Sequence, residues 1–347
     1  MNSKERVLSV LGQEKPDRVP FIDLTIDPVF VKKYLEYYAL EYTEPKKTVN
    51  DGAVVIMQTV ANTREKTEIL CERLGLDAVG ISFWIKHMGI IEEKGGQGLV
   101  TAGGIKSHDD IKKIELPDPD DTTIYQPVVD FINSYGDMEK ALYCVTNLGS
   151  DPVILGMGFE NFCMSVYTRP ELIEEMMQLY SNWQAKVIKN LCELDIDFLW
   201  TTDDIAYKTS TYISPEDIRQ FLMPHYRKVA KNFTKPWIYH SDGMLYEILE
   251  DLLSLGMNGI HPVEPEAMDI KILKEKYGKQ VAFCGHIDVD KLSTGKPEEV
   301  DKLVRNAIQN AAQGGGYICG SSNSITQYCD PANVEAMSKA INTYGKY

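Results

Sequence analysis

The sequence predicts an α/β fold, a closed (β/α)8 TIM barrel with insertions in its N-terminal half, built as one domain over residues 1–347. Three observations point there. Short apolar or β-branched runs alternate with longer amphipathic stretches from end to end, the pattern of a parallel sheet with helical crossovers. Eight such runs can be counted, and eight favours closure over an open sheet. Nearly every run ends in polar residues, as barrel strands do where they open onto a reactive face.

In chain order the runs are Val19–Leu24, Asp77–Ser82, Leu142–Asn147, Phe198–Asp203, Trp237–Asp242, Gly259–Glu264, Val281–His286 and Gly316–Ser321. Between them, Pro170–Glu193 reads as a long helix with acids at its start and Lys186 and Lys189 near its end, matching the macrodipole. Ser214 is placed to cap a helix whose first turn holds Pro215 and Asp217. Gly243–Leu255 and Pro297–Ala312 are read as further crossovers. Strand spacing is longer before residue 237 than after it, so insertions should shape the mouth. Gly95, Gly96, Gly98, Gly103 and Gly104 suggest a hairpin or lid in one of them. Gly314–Gly316 precede the last run and are read as a turn, not a phosphate cradle.

Composition narrows the function. A formal charge of −15 argues against nucleic acid or an anionic membrane as partner and leaves a small molecule or a protein. The N-terminus shows no apolar signal region, and no stretch of about 18 apolar residues occurs. Seven cysteines without a C-x-x-C pair fit reduced thiols, so the expected compartment is the cytoplasm. The sequence leaves oligomeric state open, a homodimer included. P-loop, GxGxxG, GxSxG and HExxH patterns are all missing, which removes support for nucleotide binding, serine hydrolysis and that class of metalloprotease.

The polar strand ends are Asp23, Ser82, Asn147, Asp203, Asp204, His240, Asp242, His261, Glu264, His286, Asp288, Cys319 and Asn323. His240 and Asp242 fall on one side of an extended chain, where they could form an acid/base pair or ligate a divalent ion; Asp242 could instead cap a following helix. Of the adjacent Asp203 and Asp204, at least one should face the pocket, although a salt bridge to Arg219 or a capping role competes. Cys284 and Cys319 sit where a thiolate could bind zinc, and each could equally be a buried filler.

The ordered set Asp203-Asp-Ile-Ala-Tyr, Ile213-Ser-Pro-Glu, Met223-Pro-His-Tyr, His240-Ser-Asp-Gly, Gly285-His-Ile-Asp288 and Asn323-Ser-Ile resembles the uroporphyrinogen decarboxylase superfamily. The opening Lys4-Glu-Arg-Val-Leu and Pro16-Asp-Arg-Val-Pro are similar as well. The resemblance implies a (β/α)8 barrel. The true decarboxylases carry an Arg-rich opening loop where this chain has Phe21-Ile-Asp-Leu-Thr-Ile-Asp27, so porphyrin carboxylates would meet acids in place of cations.

The other branch is similar in a more useful way, comprising methyltransferases that work with a separate corrinoid-binding protein. The zinc motif of its coenzyme M type, His-x-Cys with a distant Cys, matches here as His240, Asp242 and Cys319. The resemblance therefore implies zinc held by those three residues, with His240, Asp203 and Asp204 as catalytic groups and Asn147, Tyr207, His286 and Asn323 around the substrate. The reading places a methyl ether, such as a methoxylated aromatic, opposite the corrinoid cobalt, with Phe83, Trp84, Trp200 and Tyr207 available for stacking. Methylation of a thiol by a methylcorrinoid, a metal-free reaction with His240 as acid, decarboxylation of a small acid, and a non-catalytic scaffold are the alternatives.

Overall fold

The computed structural model describes residues 1–40, 54–61, 63–94 and 97–347. Seven parallel strands form one continuous sheet: β1 (Ala78–Ser82), β2 (Ala141–Thr146), β3 (Phe198–Thr202), β4 (Trp237–His240), β5 (Gly259–His261), β6 (Ala282–Ile287) and β7 (Tyr317–Ser321), in the spatial order β7-β6-β5-β4-β3-β2-β1. Seven of the eight expected runs are thus strands. The eighth, Val19–Leu24, closes the barrel as a bridge: Ile22 N donates to the Cys319 carbonyl, Cys319 N to the Pro20 carbonyl, and Asp77 N to the Phe21 carbonyl. The segment touches β7 and the start of β1, joining both sheet edges. Gly320 allows this, since a Cβ there would stand 2.1 Å from the Ile22 carbonyl oxygen.

Alternation within the strands divides the core in two. Ala141, Tyr143, Val145, Phe198, Trp200, Ile238, Ala282, Cys284 and Ile318 fill the barrel interior, and Val7, Val10 and Leu11 of the helix Ser3–Leu11 close its floor. The intervening residues pack outward against the crossover helices. Of these, Pro170–Glu193 and Pro297–Ala311 follow the sequence expectation closely, and Ser214 Oγ accepts from Asp217 N as a cap. The expected helix Gly243–Leu255 shrinks to Leu249–Leu253. Gly243 has φ +89° and Met244 N donates to the Tyr207 carbonyl, so this stretch is held as a loop against the one after β3.

The insertion between β1 and β2 contains an antiparallel hairpin, Gly89–Lys94 with Gln97–Gly103, offset by a bulge at Ile90/Ile91. The glycines expected at its turn, Gly95 and Gly96, lie outside the described residues. Gly314–Gly316 all have positive φ and form the expected turn. The seven cysteines are unpaired, and no described helix is long and apolar enough to cross a membrane.

Candidate active site and metal centre

The parity of β3 separates two neighbouring acids. Trp200 and Thr202 point inward, and Asp204 continues that side beyond the strand end, while Asp203 falls on the opposite side. Asp203 is fully buried. Its carboxylate accepts from Leu148 N at 2.5 Å, Ser150 N at 2.9 Å and Ser150 Oγ at 2.8 Å, closing the first turn of the helix Ser150–Met157. Burial pushes it up to about 6 against those bonds. Asp203, expected in catalysis, is therefore a structural cap, and Arg219 pairs with Asp251 and touches neither acid.

Asp204 meets His240 and Asp242 at the mouth. His240 Nε2 lies 3.5 Å from Asp204 Oδ1 and 3.7 Å from Asp242 Oδ1, and one donor atom from each of the three falls within 4.8 Å of the others. The Asp242 amide donates to Asp204 Oδ1 at 2.8 Å, and Asn323 Nδ2 donates to Asp242 Oδ2 at 2.8 Å. Asp242 is not a helix cap. Glu264 accepts from Gly243 N at 2.6 Å and pins the same loop.

Behind His240 stands His261, their Nδ1 atoms 2.7 Å apart. One must donate and the other accept. Burial, reinforced by His240, drives His261 far below the usual imidazole range, so it is neutral. With His261 Nδ1 as acceptor, His240 carries a proton on Nδ1, and its Nε2 faces the two carboxylates, as an N–H donor when the imidazole is charged or as a lone pair for a metal ion lying between them; the His261 Nε2 is then buried without a partner.

Charge in this corner is unbalanced. Burial raises Asp151 well above the carboxylate range, with Asp203 and Asp204 adding to it, while its Oδ1 accepts from Asp204 N at 3.1 Å. Burial also raises Asp242, to about 6, with the Asp204 and Glu264 charges opposing His240. In His240 burial acts downward, but Asp204 and the other acids outweigh it and raise the imidazole; Asp204 itself ends below its ordinary value because His240 outweighs its burial. Asp242 Oδ1 is buried without a hydrogen-bond partner. A divalent cation would satisfy that oxygen and relieve the repulsion, and one imidazole with two carboxylates is a set that zinc and similar ions accept.

Cys319 does not join this group. It lies on the outward side of β7, fully buried, with burial pushing its thiol up to about 12. The residue that β7 delivers to the site is Asn323, four positions on. Cys284 is barrel filling, raised above the usual thiol range by burial.

A cavity of about 470 Å³ opens beside the cluster, lined by Val55, Trp84, Ile85, Lys86, His87, Gly89, Ile91, Asn147, Asp151, Pro152, Leu155 and Thr202. Its walls are largely apolar. Asn147, expected at the substrate, is in this lining. Tyr207, also expected at the substrate, is not in this lining; it stands half exposed against Phe159 and Tyr212. His286, on the inward side of β6 with φ +91°, donates Nδ1–H to the Val263 carbonyl and leaves Nε2 without its proton. Of the aromatics, only Trp84 lines the cavity; Phe83 stacks on Tyr125 in the outer layer, and Trp200 lies under His261. Asp151, His261, Lys86 and His87 were not selected from sequence as site residues. The strand-end position of His261 was a usable signal, whereas Asp151-Pro reads as an ordinary helix start.

An α/β barrel with an acid-rich mouth around one imidazole is the class defined by this geometry. The chain matches the uroporphyrinogen decarboxylase (URO-D) model over residues 2–344 and belongs to that family. It is 25% identical over 166 residues to a methylated-thiol–coenzyme M methyltransferase of Methanosarcina mazei, a stretch covering 48% of this chain and 44% of that relative. It is 21% identical to a uroporphyrinogen decarboxylase of Methylobacillus flagellatus, covering 91% and 92% of the two. Among solved structures, a methyltransferase from Methanosarcina mazei superposes with TM-score 0.76 at 18% identity over 99% of both chains. The fold is shared with that protein throughout.

Proposed function

We propose that this chain is a methyltransferase that moves a methyl group between a small substrate in the 470 Å³ cavity and the cobalt of a corrinoid presented by a partner protein. The observation that carries the reading is the convergence of Asp204, His240 and Asp242, joined through Asp151, which accepts from Asp204 N and lines a largely apolar cavity. These three would hold a divalent metal, with zinc expected. When bound, the metal supplies Lewis acidity toward the heteroatom that bears the methyl group.

The protein's own groups do the rest. Asn323 fixes the Asp242 carboxylate, and His261 holds the tautomer that frees His240 Nε2. Trp84, Ile85, Ile91 and Leu155 exclude water and orient the methyl carbon toward the open mouth. In the ether-cleaving direction the C–O bond breaks as the methyl–cobalt bond forms. The corrinoid of the partner, in its Co(I) form, would supply the electron pair for the new bond to the methyl carbon, while the oxygen keeps the pair of the broken C–O bond and leaves with it. With Asp203 and Cys319 outside the cluster, the ligand set differs from the one implied by resemblance: Asp204 takes the third place.

A metal-free reading has one observation in its favour, the raised pKa of His240 beside Asp204, which suits a proton donor to the leaving atom. The experiment for both is methyl transfer from a methoxylated aromatic to a Co(I) corrinoid protein, followed by the cobalt absorption change, before and after chelation. Transfer lost on chelation and restored by zinc supports the metal reading. Transfer indifferent to chelation supports His240 as acid, and carbon dioxide release without a corrinoid overturns both.

A further inference from the structure

The cavity beside the cluster carries polar groups that neither its apolar walls nor the metal centre explains. Asn147 is 3% exposed, lines the cavity, and its Oδ1 has no hydrogen-bond partner. Trp84 lines the same space and its Nε1 is likewise buried without a partner. Leaving such atoms buried and unpaired forfeits their hydration without replacing it. A single ligand that offers an acceptor to Trp84 and a donor to Asn147 would satisfy both.

His87 has a fixed tautomer. Gly89 N, which can only donate, points to His87 Nδ1 at 3.0 Å, and burial together with the Lys86 charge lowers the imidazole pKa. The ring is therefore neutral with its proton on Nε2, a donor in the cavity lining. Lys86, next in the chain, adds a full positive charge and has no ion pair among the described residues. Three donors, one of them cationic, thus collect on the segment Trp84–His87, whereas the acid of this lining, Asp151, stands at the end that meets Asp204.

We infer that Trp84, Lys86, His87 and Asn147 form a selectivity subsite for an anionic substrate: an apolar, ring-sized body whose carboxylate is held by Lys86, His87 and Trp84. A hydrogen-bond donor on that body meets Asn147 Oδ1. This deepens the methyl-transfer reading and rests on it for the word substrate, but the binding preference stands apart from any reaction. Charge-assisted hydrogen bonds to the carboxylate give the subsite its discrimination, since a neutral amide of the same shape cannot draw on the lysine charge.

The test is equilibrium binding by calorimetry to the purified chain, without corrinoid, using 4-methoxybenzoate, 4-methoxybenzamide and 3-hydroxy-4-methoxybenzoate as probes. The acid should bind at least about tenfold more tightly than the amide. Lys86→Met should reduce that ratio to about one and Lys86→Arg should restore most of it; this exposed position leaves folding unaffected. The hydroxyl should add affinity in the wild type and not in Asn147→Ala, whose thermal unfolding is checked alongside. Equal affinity for acid and amide, a ratio unchanged in Lys86→Met, or no binding of any probe would overturn the subsite. Selective binding without methyl transfer to cobalt would leave the subsite standing and remove the proposed reaction.

Discussion

The two ends of the barrel handle charge in opposite ways. At the floor, Asp77 is fully buried yet accepts from Arg6 at 2.7 Å, from both terminal nitrogens of Arg18 at 2.9 Å, and from Phe21 N at 2.8 Å. Asp17 completes the set by taking the other side of Arg6. Cations and carboxylates balance there. At the mouth, Asp151, Asp204, Asp242 and Glu264 crowd one histidine, and Asp242 Oδ1 is left unpaired. The balanced network needs nothing added, whereas the charge imbalance at the mouth marks a candidate functional site.

Substitutions should therefore separate the two ends. Asp204→Asn or His240→Ala is expected to lower methyl transfer by a factor of about 100 or more while leaving Tm unchanged or higher, since the first relieves like-charge repulsion. Loss of activity in step with Tm would erase the contrast. Asp77→Asn is expected to do the reverse, costing about 3–5 kcal/mol in denaturant unfolding because Arg18 loses its carboxylate partner and Arg6 keeps only Asp17, with metal bound per folded molecule unchanged.

Smaller effects sharpen the picture. Asn323→Ala and His261→Gln should each weaken metal affinity by about 10- to 100-fold in a chelator competition, because they orient ligands without being ligands. If neither moves the affinity, the orienting roles are wrong. Smallest is a pH effect at Asp23, whose burial raises it to about 7 although Ser321 N and Oγ donate to it. The folded state then holds a proton that the unfolded chain releases near pH 4, so this group's contribution is present below pH 4 and lost as pH rises through 7. The decline is at most about 1.4 kcal/mol per pH unit. Asp23→Asn should flatten the fall in Tm between pH 5 and 8, and an identical slope would show that Asp23 is ionised throughout.

The sequence made the barrel legible because alternation of strand and helix patterns is local and repeats along the chain. What it hid depended on parity and on contacts across strands. Asp203 and Asp204 are equivalent as letters, and only the pleat of β3 sends one into a helix cap and the other to the cluster with His240 and Asp242. Cys319 matched a motif by residue type, but the strand turns its side chain outward, and Asn323 arrives in its place from the following loop. The eighth strand looked like its fellows in composition; packed between two edges, it keeps three backbone bonds to them and no ladder. The acids of the opening loop also read differently in place. Asp23 is bound by Ser321 and Asp27 caps the helix Pro28–Tyr37, so the case against a porphyrinogen now rests on the missing arginines, without repulsion from Asp23 or Asp27.

Metal content under reducing conditions, by elemental analysis of wild type, Asp204→Asn and Cys319→Ala, decides whether Asp204, His240 and Asp242 form the ligand set. Near-stoichiometric divalent metal is expected in wild type and Cys319→Ala, and a large loss in Asp204→Asn. Metal lost in Cys319→Ala but kept in Asp204→Asn, or no uptake by wild type from added zinc, would contradict that set.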